Sequence, residues 1–248
     1  MEDRYMRTAG YGATGARSMA TDAGLRRYML GVYNYMASGV LLTGIVALVV
    51  ASTPALLQLF YQVQGNQLSP TMLGWVAMLS PLGFILVLSF GLNRLSPGAT
   101  QALFWAFAVC FGLSLSNIFL VYTGTSIARI FFITAGAFGG LSLYGYTTKR
   151  DLTGLGTFAI MGLIGIIIAS VVNIFIGSSM MQFIISVAGV LIFSALTAYD
   201  TQKIRQTYDV VAGNAAMMKK ASVMGALTLY LDFVNLFLML LQLFGNRE

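Results

Sequence analysis

SVMGALTLYLDFVNLFLMLLQLF, residues 222–244, carries one charge, Asp232, in a run long enough to cross a bilayer, which takes about 20 apolar residues. A second acid, Asp200, ends the apolar run Phe183–Tyr199 just upstream. A carboxylate at bilayer depth costs about 2.5–3.5 kcal/mol on insertion scales. A chain that carries this cost on two consecutive helices has a use for the pair. An intramembrane acid is by default a functional-site candidate whose partner has to be named.

The rest of the chain has the same character. Of its 248 residues, 58% are hydrophobic and only 9% charged, against roughly 25% charge in a soluble domain. The fold class is all-α integral membrane. One cysteine, Cys110, excludes an internal disulfide framework. The absence of histidine removes His-based zinc sites, haem ligation by His and Ser-His-Asp triads. No cofactor is expected.

Residues 1–24 are rich in Gly, Ala, Ser, Thr and Arg and lack the apolar region of a signal peptide. They read as a disordered cytosolic tail, followed by one transmembrane domain over 25–248. Seven spans are expected: Leu30–Ala51, Met72–Leu92, Ala102–Tyr122, Ile127–Tyr146, Leu155–Ile176, Met181–Tyr199 (continuing to about Tyr208) and Ser222–Phe244. Pro81 should kink the second. Gly136 and Gly140, Ala135 and Gly139, and Gly162 and Gly165 have the spacing that lets helix backbones approach closely.

The net charge is +6, and its placement sets orientation. Arg4, Arg7, Arg17, Arg26, Arg27, Arg94, Lys149, Arg150, Lys203, Arg205, Lys219 and Lys220 fall on one side if the spans alternate; Arg129 and Arg247 fall on the other. The positive-inside rule puts the N-terminus in the cytosol and the C-terminus outside. A six-span alternative with a re-entrant last segment would return the C-terminus to the cytosol. The basic balance thus reads as topology and not as nucleic-acid binding.

The last two spans are consecutive and antiparallel. With their turn centred near Gly213, Asp200 and Asp232 differ in depth by about 9 Å at 1.5 Å per residue. Asp232 shares the polar face of its helix with Thr228 and Asn235; Asp200 shares its own with Thr197. Both acids therefore point into the bundle. Two carboxyls in a low-dielectric site do not readily both ionise, and they titrate as a unit. Such a pair could share a proton as a pH sensor, bind a hard cation, or activate a water as aspartic proteases do. Arg94, at the cytosolic end of the second span, could latch onto Asp200 through its guanidinium fork.

The string Leu229-Tyr230-Leu231-Asp232-Phe233-Val234-Asn235-Leu236-Phe237, with Leu240-Leu241 and Phe244-Gly245 after it, Tyr199-Asp200 with Ile204 downstream, and Gly112–Asn117 in the third span together resemble the Bax inhibitor-1 family, its bacterial branch in particular. The resemblance covers roughly residues 25–245. It implies six helices wrapped in two layers around a central C-terminal helix, in the inner membrane of a bacterium. It also implies a pH-sensitive passive calcium leak, with Asp200 and Asp232 as sensor and transient Ca²⁺ site and Arg94 at the position of the arginine that pairs with the first acid. Some relatives carry a basic cluster where Asn93–Thr100 has only Arg94. The family also suggests a regulatory protein that binds a membrane-bound AAA protease, or one linked to cell-death control. An enzyme is not expected: Asp232 lacks the Gly-x-Gly-Asp of intramembrane aspartyl proteases, and no span holds an interior lysine for a retinal Schiff base.

Overall fold

The computed structural model describes residues 22–64, 67–91 and 94–247. Seven helices long and apolar enough to cross a membrane follow the expected order. They are α1 (Asp22–Ser52), α3 (Met72–Gly91), α4 (Pro97–Leu115) with the short α5 (Ile118–Val121), α6 (Gly124–Thr147), α7 (Thr153–Ile176), α8 (Ser179–Val211) and α9 (Ala215–Phe244). The expected tail lies outside the described residues up to residue 21, and residues 22–24 already belong to α1. α3 runs through Pro81 as one helix.

Two local features went beyond the expected spans. The uncharged loop after α1 folds into α2 (Pro54–Phe60) and an antiparallel hairpin of β1 (Tyr61–Gln64) and β2 (Gln67–Pro70). The third span breaks at Ser116–Asn117, where the Ser116 hydroxyl bonds back to the Leu113 carbonyl at 2.7 Å. At the same end of the bundle the Thr123 amide donates to the Asn246 carbonyl at 3.1 Å, and Arg247 stacks over Tyr122. The chain's last turn is thus tied to the start of α6.

α9 is the most deeply buried span: 61% of its apolar stretch is buried, against 6% for α7. It packs on α8, α1, α6 and α4, while α3 packs chiefly on α4 and α7 on α8. Aromatic rings anchor it. Phe104, Phe107 and Phe111 stand edge-on around Tyr230, whose hydroxyl meets Thr43 at 2.7 Å, and Phe131 and Phe138 stand edge-on to Phe233. Tyr230 and Asp232 are two residues apart, about 200° around the helix. Locking the tyrosine against α1 and α4 therefore turns the aspartate toward α8.

Small residues set the α8–α9 register. A side chain at Gly225 would come within 3.1 Å of Ile204, and one at Gly189 within 2.7 Å of Met239. Ser186 donates to Gln242 at 2.9 Å in the same register. Asp232 is then level with residues 196–197 of α8, about one turn, or ~5 Å, from Asp200, less than the sequence estimate. Side chains tilt toward the N-terminus of their own helix. In these antiparallel helices Asp200 leans toward the level of Asp232 and Asp232 leans back, which closes the remaining offset.

The glycines expected to seat neighbouring backbones do not do so. Side chains at Gly136, Gly139, Gly140 and Gly165 would meet open space, and Gly162 meets only the Ile192 side chain. The inward face of α6 is instead Ile130, Thr134, Phe138, Ser142 and Gly145, which puts Gly136 and Gly140 on the far side. Close approach occurs at Gly145, whose Cα packs on the Ala198 carbonyl, and at Gly112, on the Thr43 carbonyl.

These contacts separate two substitutions at neighbouring glycines. Gly145→Leu forces α6 off α8 and should destabilise by about 1–3 kcal/mol, the usual range for overpacking. Gly139→Leu should stay within about 0.5 kcal/mol of the native chain. Thermal unfolding in one detergent checks both, and equal midpoints would contradict the helix faces described.

Candidate functional site

Asp232 is buried in the middle of α9, and Asp200 is half-buried on α8. Their carboxyls are hydrogen-bonding neighbours. The Oδ2 oxygen of Asp232 is buried and has no hydrogen-bond partner among the described residues. A bond between two carboxyls needs a proton on one of them, because an ionised carboxylate only accepts. The geometry therefore makes a place for one shared proton.

A cation that acts on Asp200 is Lys203, one turn further along α8, which also stacks over Tyr199. Arg94 is not brought there. It is exposed on the α3–α4 turn, held by its amide on the Gly91 carbonyl at 2.9 Å, and its side chain reaches neither aspartate. The reason is placement. The turn leaves the bundle on the α3–α4 side, away from the α8–α9 seam that carries the acids.

The supporting polar residues divide. Thr228 and Asn235 line the cavity that holds both acids, and each bonds back to its own helix, at 3.1 Å to the Met224 carbonyl and 2.8 Å to the Leu231 carbonyl. Thr197 does not join them. It is fully buried, bonds the Phe193 carbonyl at 2.7 Å, and lines no described cavity. One turn on, Thr201 bonds Ser142 of α6 at 3.0 Å, and Ser142 bonds Tyr33 of α1 at 2.7 Å. The polar side of α8 is thus split between α9 and α6, a division that helical spacing alone does not reveal.

Two cavities meet at the pair. The larger, about 1010 Å³, runs from Asn117 and Gln242 at one end of the bundle to Asp232, Asp200 and Thr228. Its flank reaches Leu82 on α3 and Ile167 on α7, both exposed. The smaller, about 600 Å³, runs from Asp200 and Thr228 toward Met217 and Val211 at the other end. Asp200 and Thr228 line both. Tyr28 borders the smaller one, and its buried hydroxyl has no partner among the described residues. Nothing in the sequence marks Tyr28, since an aromatic near a span end is ordinary.

Beyond the pair, the described residues hold no group of three or more acidic, Cys or His side chains that could bind a metal. Ca²⁺ takes six to eight oxygens. Two carboxyls and a few neutral oxygens fit a cation that passes, or binds weakly with its water, better than one held permanently.

Among known proteins, residues 25–248 match the family described as "Inhibitor of apoptosis-promoting Bax1". The chain is 49% identical to a protein of Caulobacter vibrioides over 93% of both chains. It is 49% identical to a protein of Rickettsia prowazekii over 95% of this chain and 96% of that one. It is 46% identical to the inner membrane protein YbhL of Escherichia coli K12, over 91% of this chain and 94% of the other.

The site's geometry has a direct chemical check. In a Cys110→Ala background, Asp200→Cys with Asp232→Cys should be joined by a short bifunctional thiol reagent in most molecules. Arg94→Cys with Asp232→Cys should not be. Gel mobility after labelling reads the outcome, and the opposite pattern would remove the pair.

Proposed function

The chain belongs to the Bax inhibitor-1 family, and from that premise we propose that it is a pH-sensitive passive calcium leak whose gate is the Asp200–Asp232 pair. The observation that carries this reading is the meeting of two cavities from opposite ends of the bundle at Asp200 and Thr228, with the second acid beside them. A leak needs a path to each face and one narrow place where occupancy is controlled.

The chemistry follows from the pair itself. When one proton bridges the carboxyls, the site carries a single negative charge and its oxygens are occupied. Removing the proton leaves two facing carboxylates in a low-dielectric setting, which repel unless a cation enters. A divalent cation answers both charges, so protons and Ca²⁺ compete for the same oxygens. Asn235 and Gln242 offer neutral amides along the larger cavity, and Lys203 beside the smaller one opposes cations there unless a carboxylate offsets it. The protein would sit in the inner membrane, as the name of its relative YbhL has it for that protein. Its N-terminus would be cytosolic by the charge asymmetry.

Calcium flux into proteoliposomes tests this at stepped pH. The native chain should pass Ca²⁺ with a rate that changes over the pH range in which the pair exchanges its proton. Asp200→Asn with Asp232→Asn should abolish that dependence and lower the flux at least tenfold. An unchanged pH-dependent flux in the double variant would end the proposal.

A further inference from the structure

A second feature lies on the opposite side of α6, away from the acids. A groove of about 630 Å³ runs between α1 and α6, walled by Met29, Leu30, Phe138 and Leu143. Its floor is open because Gly139 has no side chain, and a Cβ there would touch nothing. Leu30 and Leu143 at its rim are exposed, so in a bilayer the groove faces hydrocarbon. From Gly139 to Tyr146 it extends about 10 Å along the helix.

Its mouth is basic. Arg26 and Tyr146 border the groove at the end that bears the positive loops. Beyond Tyr146 lies a separate pocket of about 340 Å³ lined by Lys149, Arg150 and Arg205. Arg205 of the pocket contacts Tyr146 of the groove: it donates to the Tyr146 carbonyl at 2.6 Å and stacks over the Tyr146 ring. The pocket is shaped by buried Gln202, which donates to the Arg150 carbonyl at 2.8 Å and accepts from the Leu152 amide at 2.9 Å. Lys149 and Arg150 are exposed, and neither has a carboxylate partner among the described residues. The one acid in the pocket, Asp151, is turned away to the hydroxyl and amide of Thr153, which hold its carboxyl below the usual carboxylate range.

We propose that groove and pocket together form a binding site for one anionic phospholipid, its acyl chain between α1 and α6 and its headgroup against Lys149, Arg150 and Arg205. Charge complementarity names the occupant. An apolar slot at hydrocarbon depth opens onto three cations and one engaged carboxylate at headgroup depth, and basic pockets at this level of a membrane bundle suit anionic headgroups. The positive-inside rule makes this the cytosolic leaflet. A zwitterionic lipid fits the slot but gains nothing from the net charge. A free phosphate gains from the charge but leaves the slot unused.

Native mass spectrometry on the delipidated full chain, titrated with phosphatidylglycerol or phosphatidylcholine, separates these cases. Wild type should retain phosphatidylglycerol in preference to phosphatidylcholine, and millimolar inorganic phosphate should not displace it. Each basic residue near an anionic lipid is worth about fivefold, so Lys149→Ala with Arg150→Ala should weaken phosphatidylglycerol about thirtyfold and leave phosphatidylcholine unchanged. Gly139→Leu, which fills open space, should weaken both lipids while leaving the thermal midpoint in place. Equal retention of the two lipids by wild type, or native behaviour of the double variant, overturns the proposal. So does displacement of phosphatidylglycerol by phosphate together with undiminished binding in Gly139→Leu, which would mark a site for a water-soluble anion.

Discussion

A carboxyl set among hydrocarbon, with only another carboxyl to answer it, is the constraint on which this bundle turns. Asp232 lies on the most buried helix, and among the described residues Asp200 is the group that approaches it as a hydrogen-bonding partner. The contacts that hold α9 against α8 therefore fix more than packing. Gly225 under Ile204 and Gly189 under Met239 set the depth at which the acids meet, and Tyr230, held by Thr43 and three phenylalanine rings, sets the direction in which Asp232 points.

The same contacts join fold to function. α9 forms a wall of both cavities, which share Asp200 and Thr228, with Asp232 lining the larger one. A sub-turn slip of α9 on α8 would part the carboxyls and alter the junction between the cavities together. In the proposed leak, that coupling is what would let a proton at the pair control the passage of a cation. The proposed lipid site draws on a separate face of α6, on the α6–α7 turn and on Gln202 and Arg205 of α8, the helix that carries Asp200, and the chain Tyr33–Ser142–Thr201 links α1, α6 and α8 one turn inward of Arg205.

Much of this was legible in the residues. Seven apolar runs gave seven spans, because bilayer thickness allows few other solutions, and the isolated charges at Asp200 and Asp232 stood out against a chain with few others. What the sequence could not convey is which face of a helix meets which neighbour. Gly136 and Gly140 have the spacing of a packing motif, but Thr134, Phe138 and Ser142 take the inward face, so the glycines look outward. Thr197 shares a helical side with Asp200 by angle, yet it is fully buried, bonds back to its own helix and lines neither of the two cavities. Arg94 has the right charge at the right end, but the α3–α4 turn keeps it away from the α8–α9 seam. The loop hairpin carries no charge or apolar run to mark it. By sequence Lys203 counts only toward orientation, although the expected continuation of its helix to about Tyr208 already puts it one turn from Asp200, and Tyr28 becomes visible only once α1 closes beside the smaller cavity.

The most direct measurement of the central claim counts protons released when Ca²⁺ binds the reconstituted protein, in weakly buffered medium at a pH where the bridge is occupied. If one proton and one divalent cation compete for the same pair of carboxyls, Ca²⁺ should displace one proton per molecule, and Asp232→Asn should abolish the release. Calcium uptake without proton release, or the same release from Asp232→Asn, would contradict the account.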